Sequence, residues 1–267
     1  VRVKSTVHQA QVAARFSASA RTYDAEALLQ HRVAAHLLSQ IPDGVPCARV
    51  LDLGCGTGRL TELVRERWPR AALQAVDHAP GMIAVARERL ARHPDIEWIV
   101  ADASRLMLAQ PCDLLVTSSM LHWLRPFDEG IRHVASLIRP GGYLAAALML
   151  EGTLCELHTL RLQVAPHKAP VGRLPAFQQV IAAVEKAGLE LQHTVVDQHQ
   201  VLYPSAAVLL KRLNQLGVNG GDLARGSRPL TRRELTELVK LYARQYGRPD
   251  GQIRATYVVG YFLARRP

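Results

Sequence analysis

The nine residues Val50 to Gly58 read V-L-D-L-G-C-G-T-G, and no other segment restricts the possible fold as tightly. Arg49 to Leu53 is a β-type run that enters a turn with glycine at 54, 56 and 58. Arg59 to Trp68 then carries helical apolar spacing until Pro69 stops it. A strand, a glycine loop and a helix joined this closely predict the first βα unit of a parallel sheet, with loop amides open to a ligand. A dinucleotide fingerprint, G-x-G-x-x-G, would need glycine at 59, where Arg59 stands, and Asp52 lies two residues before the first glycine. The departure argues against a nicotinamide dinucleotide.

The pattern downstream repeats the unit. Strands are expected at Ala72 to Val76, ending at Asp77, at Glu97 to Val100, ending before Asp102, and at Asp113 to Thr117. A helix over Met82 to His93 falls between the first two, and Phe127 to Ile138 follows the third. A turn at Pro140-Gly141-Gly142 precedes an apolar strand at Tyr143 to Leu150. A helix at Ala176 to Ala187 and strands at Leu189 to Leu202 and Ala255 to Ala264 complete the set. The expected class is α/β: a Rossmann-like, seven-stranded, mostly parallel sheet with helices on both faces. Residues 1–48 form a helical leader, with a helix over Asp24 to Ile41. Residues 204–251 far exceed the usual connection of about 2 to 6 residues. They contain helical patterns at Ala206 to Leu216 and Thr231 to Tyr246, the second opened by a capping box of Thr231 and Glu234. They read as a helical lid inserted into a core of residues 49–203 and 252–267, all within a single domain.

With 48% hydrophobic residues the chain can bury a large core. Its longest apolar run, Tyr143 to Leu150, falls well short of the ~20 residues of a membrane span, and its first 15 residues lack a signal-like apolar stretch. A cytoplasmic protein with no membrane partner is expected. Cys47, Cys55, Cys112 and Cys155 form no C-x-x-C pair, so reduced thiols and no metal site are expected. The net charge is +10, and residues 151–267 hold 16 basic against 9 acidic residues. That bias suits an acidic partner, and equally a solvated Arg-rich surface. Aromatic content of 5% and the lack of a clustered Lys/Arg stripe argue against nucleic acid.

The D-x-G-x-G-x-G of Asp52 to Gly58 resembles motif I of the class I S-adenosylmethionine-dependent methyltransferases. The resemblance implies that Asp52, Gly54, Cys55, Gly56 and Gly58 wrap the amino-acid portion of S-adenosyl-L-methionine. Asp77 and His78 would then meet the ribose, Met82 would pack on the adenine, Asp102 and Ala103 would read its amino edge, and Ser118 and Ser119 would border the methionine.

Outside that site, Arg15 to Gln30 resembles the F-x-x-x-A-x-x-Y-D-x-x-A-x-x-Q leader of the malonyl-acyl-carrier-protein O-methyltransferases of biotin synthesis. Phe16, Ala20, Tyr23, Asp24, Ala27 and Gln30 match by position. Met120 to Trp123 (M-L-H-W) is similar to that family's L-Q-W, and Gly152 to Leu157 (G-T-L-C-E-L) to its G-T-L-x-E-L. Tyr203 to Gly217 resembles its lid helix, and Ala255 to Tyr261 its final strand. This implies methyl transfer to the free carboxylate of a malonyl group on acyl carrier protein or coenzyme A, with Tyr23 and Gln30 at the cofactor and Tyr23, His122 and Arg161 as catalytic candidates. A carboxylate of pKa near ~4 is ionised at neutral pH and needs no general base. His122 stands where the family more often has Gln, and a histidine there can titrate. Arg161, Arg173 and Lys211 are candidates for the cation that orients the malonyl carboxylate, and Lys211, Arg212, Arg232 and Arg233 for contacts with an acidic carrier. Other readings are methylation of a quinone precursor or natural-product acid, an RNA methyltransferase, and a cofactor binder without activity.

Overall fold

The computed structural model describes residues 2–168, 172–217 and 229–267, with backbone alone at 2–9. One seven-stranded sheet organises them: β1 (Arg49–Leu53), β2 (Ala72–Asp77), β3 (Glu97–Val100), β4 (Cys112–Ser118), β5 (Ile138–Met149), β6 (Glu190–Tyr203) and β7 (Ile253–Arg265). Their spatial order is β3-β2-β1-β4-β5-β7-β6. The pairs from β3 to β5 are parallel, and β7 runs antiparallel to both β5 and β6. The order reverses between β1 and β4, and the crevice at the carboxyl ends of those strands is where ligands of such sheets collect.

Residue alternation divides the core between the two sheet faces. Val50, Leu114, Val116, Ala145 and Ala147 pack with Val33, Leu37 and Leu38 of α2 (Leu28–Ser39) and with Leu60 and Val64 of α3 (Arg59–Arg67). Leu51, Leu53, Leu115, Leu144 and Leu148 face the opposite way, against α5 (Phe127–Ser136) and α7 (Phe177–Lys186). Every central strand is therefore covered twice, which explains its near-continuous apolar sequence. Helix α4 (Pro80–Arg89) follows β2, and α6 (Cys155–Val164) follows β5.

Four details differ from the sequence expectation. The leader holds two helices, α1 (Arg2–Glu26) and α2, because the backbone at the buried Ala27 departs from helical values at φ −89° and ψ 27°. Pro140, Gly141 and Gly142 lie within β5: Gly141 takes φ 78°, and the pairing with β4 shifts register between Cys112 and Leu114, so the irregularity is absorbed without ending the strand. Helix α4 starts at Pro80, ahead of Met82, with proline in the first turn where no amide is needed. Helix α6 has no counterpart in the expected elements.

Helices α8 (Ala206–Gln215) and α9 (Arg232–Tyr246) form where the insertion was expected, the second closed by the Thr231–Glu234 capping box. Residues 218–228 of the expected lid lie outside the described residues. No described helix is long and apolar enough to cross a membrane.

Candidate active site

The glycine loop connects β1 to α3 with Gly54, Gly56 and Gly58 at φ 78°, 55° and 86°, a left-handed region costly for other residues. Two of the three are also closely packed. A Cβ on Gly54 would stand 2.4 Å from Cγ of Met120, and one on Gly58 would stand 3.1 Å from Cβ of Ala86 in α4. Gly56 faces open space, with nothing within 4 Å of such a Cβ. The loop is thus packed on two sides and open at Gly56.

Asp77, at the end of β2, is tied to that open edge. Its carboxylate accepts the amide N–H of Gly56 at 2.9 Å and that of Ala79 at 2.8 Å. Burial pushes its carboxyl above the usual range, against the opposing effect of those amides. Asp52, fully buried beneath the loop, accepts the Thr61 hydroxyl at 2.6 Å, while its other oxygen has no hydrogen-bond partner. Burial raises its pKa to about 7, and the negative charge of Asp77 adds to the shift. Asp102 is turned back on its own loop, accepting from the amide and hydroxyl of Ser104 at 2.9 and 2.7 Å, beside the half-buried Ala103.

The leader roofs this edge. Met82 is buried with Ala20 and Ala79, packed by Phe16, Tyr23 and Val85. The Tyr23 phenol is raised in pKa by burial and then by the charges of Asp77 and Asp24. Gly81 at the start of α4 lies against Ser17, where a Cβ would come within 2.6 Å of the Ser17 carbonyl oxygen. Farther along, Gln30 has a buried amide oxygen with no hydrogen-bond partner. Ser118 ends β4. Ser119 takes φ 59° and also keeps a buried hydroxyl without a partner, while its N–H donates to Ala147 at 2.8 Å. Strained backbone and orphaned polar atoms at a strand's carboxyl end are features of ligand sites.

His122 and Trp123 follow on a short 3-10 turn, with Phe16 of the leader edge-on to Trp123 at 5.5 Å. The titration that a histidine allows at this position is displaced downward by the surroundings of His122. Burial, then the charge of Arg125, lowers its pKa to about 3, and its Nδ1 accepts the Met149 N–H at 3.4 Å, so it stays neutral.

The cationic candidates occupy different places. Arg161 in α6 donates Nε to the Lys168 carbonyl at 3.3 Å; Arg173 and Lys211 are exposed. Arg212 turns inward, pairing with Glu26 of α1 at 3.0 Å and lying over the Tyr203 ring, so it joins lid to leader.

A family model described as "Methyltransferase domain" matches residues 50–142, from β1 into β5. Over 260 residues the chain is 34% identical to the malonyl-acyl-carrier-protein O-methyltransferase of Geobacter sulfurreducens, spanning 94% of this chain and 96% of that protein. The chain belongs to the malonyl-acyl-carrier-protein O-methyltransferase family. A second member, from Hahella chejuensis, is 32% identical over 98% of this chain and 92% of its own length. Among solved structures, the Bacillus halodurans C-125 protein BH2331 shares the fold at TM-score 0.63 and 13% identity, covering 88% of this chain and 98% of that one. These malonyl-acyl-carrier-protein O-methyltransferase matches extend through leader and lid, well beyond the glycine loop.

The family's methyl donor is S-adenosylmethionine, and the residues present fit it. The open side of Gly56, the orphaned Ser119 hydroxyl and Gln30 amide oxygen, and two buried acids suit a cationic ligand rich in hydrogen-bonding groups. Sequence patterns alone missed Thr57, Arg89 and Glu26, whose side chains tie the leader to its surroundings. Of the three, only Glu26 sat inside the quoted leader, at a position its motif leaves free.

Proposed function

We propose that this protein methylates the free carboxylate of a malonyl group held as a thioester on acyl carrier protein, an early step of biotin synthesis. Resemblance at 34% identity that runs through leader, core and lid carries the proposal, because the shared fold alone would not choose an acceptor. When bound, S-adenosylmethionine supplies a methyl group activated by its sulfonium. Gly54, Cys55, Gly56 and Gly58 would offer bare backbone to its amino-acid portion, with Asp52 buttressing the loop from below. Asp77 and His78 would hold the ribose, Asp102 and Ala103 the adenine edge, and Met82 the adenine face beneath Tyr23. Ser118, Ser119 and Gln30 would supply the remaining hydrogen bonds.

The acceptor carboxylate is already ionised, so the residues here need to align it and exclude water, and no proton has to be removed. His122, held neutral, would act as a fixed hydrogen-bonding wall, with Tyr23 closing the leader side. A guanidinium fork suits the malonyl carboxylate, and Arg161, partly shielded and set at the base of the lid, is our candidate.

An acidic carrier would meet the exposed face of α9. There Arg232, Arg233, Thr236, Glu237 and Lys240 lie exposed on one side of the helix. Arg212, paired inward with Glu26, is not part of that face.

The deciding assay incubates purified protein with methyl-labelled S-adenosylmethionine and malonyl, succinyl or acetyl carrier protein, or malonyl-coenzyme A. Methyl ester on the malonyl carrier is expected, with no product from acetyl carrier; equal labelling of succinyl and malonyl forms, or none, would overturn the proposal. Reversing Arg232 and Arg233 to Glu should raise KM for the carrier by about tenfold and leave malonyl-coenzyme A unaffected.

A further inference from the structure

We infer that Asp24 is a positioning residue that fastens the leader to the glycine loop and thereby sets Tyr23 against the cofactor edge. The inference rests on the cofactor site described above and assigns a role that the family motif, which contains this acid, leaves unstated.

Four segments meet on one carboxylate. Thr57, inside the glycine loop between Gly56 and Gly58, donates its hydroxyl to Oδ1 of Asp24 at 2.6 Å. Arg89, at the end of α4, pairs with Oδ2. His31 of α2 approaches Oδ1 at 3.4 Å. Asp24 itself lies near the end of α1, adjacent to Tyr23. The carboxylate is only 29% exposed and the Arg89 side chain 23%, so both bonds are largely shielded from water. Arg89 is held in turn near Glu62 of α3 at 3.8 Å, and Glu62 takes Arg59 at 2.8 Å. Hydrogen bonds from His31 and Thr57, with the Arg89 charge, outweigh burial and keep Asp24 below the usual carboxylate range.

The geometry has a functional direction. Gly56 is tied to Asp77, and the next residue, Thr57, is tied to Asp24, whose chain neighbour Tyr23 packs on the Met82 cluster. Leader and loop therefore share one hydrogen-bonded frame around the open side of Gly56. A leader released from Thr57 and Arg89 would still be held by Ala20 and Phe16 on Met82, by Ser17 at Gly81 and by Glu26 on Arg212, but it would lose its direct tie to the glycine loop next to Tyr23. The expected result of breaking the frame is weaker cofactor binding with chemistry largely retained once the site is filled.

The test measures S-adenosylhomocysteine binding by calorimetry to the full chain, alongside steady-state kinetics and limited trypsin cleavage at the exposed Arg15 and Arg21. Asp24→Asn is expected to weaken binding by about tenfold or more, as for a lost charge-assisted hydrogen bond. KM for S-adenosylmethionine should rise correspondingly, kcat should change by less than about threefold, and the slowing of cleavage at Arg21 by S-adenosylhomocysteine expected of the wild type should be lost. Thr57→Val removes the bond to the glycine loop, which the side chain of Asp24→Asn could still accept, and leaves the Arg89 pair in place. Combined with Asp24→Asn it should cost less than the sum of the two changes, and Arg89→Gln serves where Asp24→Asn folds poorly. Wild-type affinity and protection in Asp24→Asn or Thr57→Val, or strictly additive losses, would overturn the inference. Failure of the wild type itself to bind S-adenosylhomocysteine would overturn the functional proposal, and this role with it.

Discussion

Replacing His122 by Gln should remove an acid-sensitive element of stability while leaving the site's shape intact. The imidazole is buried, and its Nδ1 must be unprotonated to accept the Met149 N–H. Burial and the Arg125 charge hold the folded-state pKa at about 3, against about 6.5 in an unfolded chain. A folded pKa below the unfolded one means that the unfolded chain takes up the proton first. The stability is complete above pH ~6.5 and falls as the pH drops from there toward 3. Between pH 8 and pH 5 the loss from this one group is about 2 kcal/mol. Gln can accept the same N–H but has nothing to titrate in this range. Urea unfolding of both proteins at pH 8 and pH 5 isolates the effect, because every other titrating group cancels in the comparison. The wild type should lose about 2 kcal/mol more than the variant over that interval, and pH losses equal to within about 0.5 kcal/mol would refute the reasoning.

Gly56→Ala should lower folding stability by only about 1–2 kcal/mol, the cost of a left-handed φ, while reducing S-adenosylmethionine affinity far more; calorimetry and thermal unfolding on one sample separate the two. Glu156 is buried and accepts both the amide and hydroxyl of Thr256 at 3.0 and 2.5 Å, joining α6 to β7. Glu156→Ala strands that amide and should cost about 2–3 kcal/mol in denaturant unfolding. Asp52→Asn should be more stable than the ligand-free wild type at pH 8 and equal to it at pH 4, since the raised carboxyl pKa makes ionisation unfavourable as pH climbs toward about 7. The same substitution should weaken binding of cationic S-adenosylmethionine more than of neutral S-adenosylhomocysteine, and an unchanged ratio would count against the electrostatic reading of this site.

The sheet was legible because strand burial is written locally. Val50 and Leu51, or Leu114 and Leu115, are each apolar because helices cover both faces, and glycines mark the one turn that must stay tight. Helix α6 was illegible for the complementary reason. Its sequence, C-E-L-H-T-L-R-L-Q-V, carries no clean amphipathic stripe, and it is fixed by the buried bond from Glu156 to Thr256, 100 residues away. The break at Ala27 has no glycine or proline to announce it, and Ala27 is buried without a capping side chain. Site residues were legible where a motif fixes their spacing, as at Gly54 to Gly58 and Asp77. Thr57 and Arg89 were not, because each acquires its role only when the leader folds across the loop. Local pattern could not show that Arg212 faces Glu26 or that His122 is buried and accepts the Met149 N–H.

Three of the uncompensated buried groups among the described residues belong to the candidate cofactor site. Asp52 keeps an oxygen with no partner, Ser119 a strained backbone and an unbonded hydroxyl, and Gln30 an unbonded amide oxygen. Each costs stability in the ligand-free chain. Two acids, Asp52 and Asp77, are pushed toward neutrality by burial and, for Asp52, by the charge of the other. A cation entering the crevice would restore their charged forms, so such a pair selects for positive charge by the amount its own repulsion withholds beforehand. Arg89 is engaged with Asp24 at the rim, and Arg212 with Glu26 farther along the leader, so each of these basic side chains already meets an acid of α1. Charge, strain and unsatisfied hydrogen bonding thus favour the same occupant, a positively charged ligand with several polar groups. The malonyl carboxylate would then meet the sulfonium charge of a donor already seated, in addition to the protein cation that orients it, which makes binding of the donor before the acceptor the electrostatically favourable order.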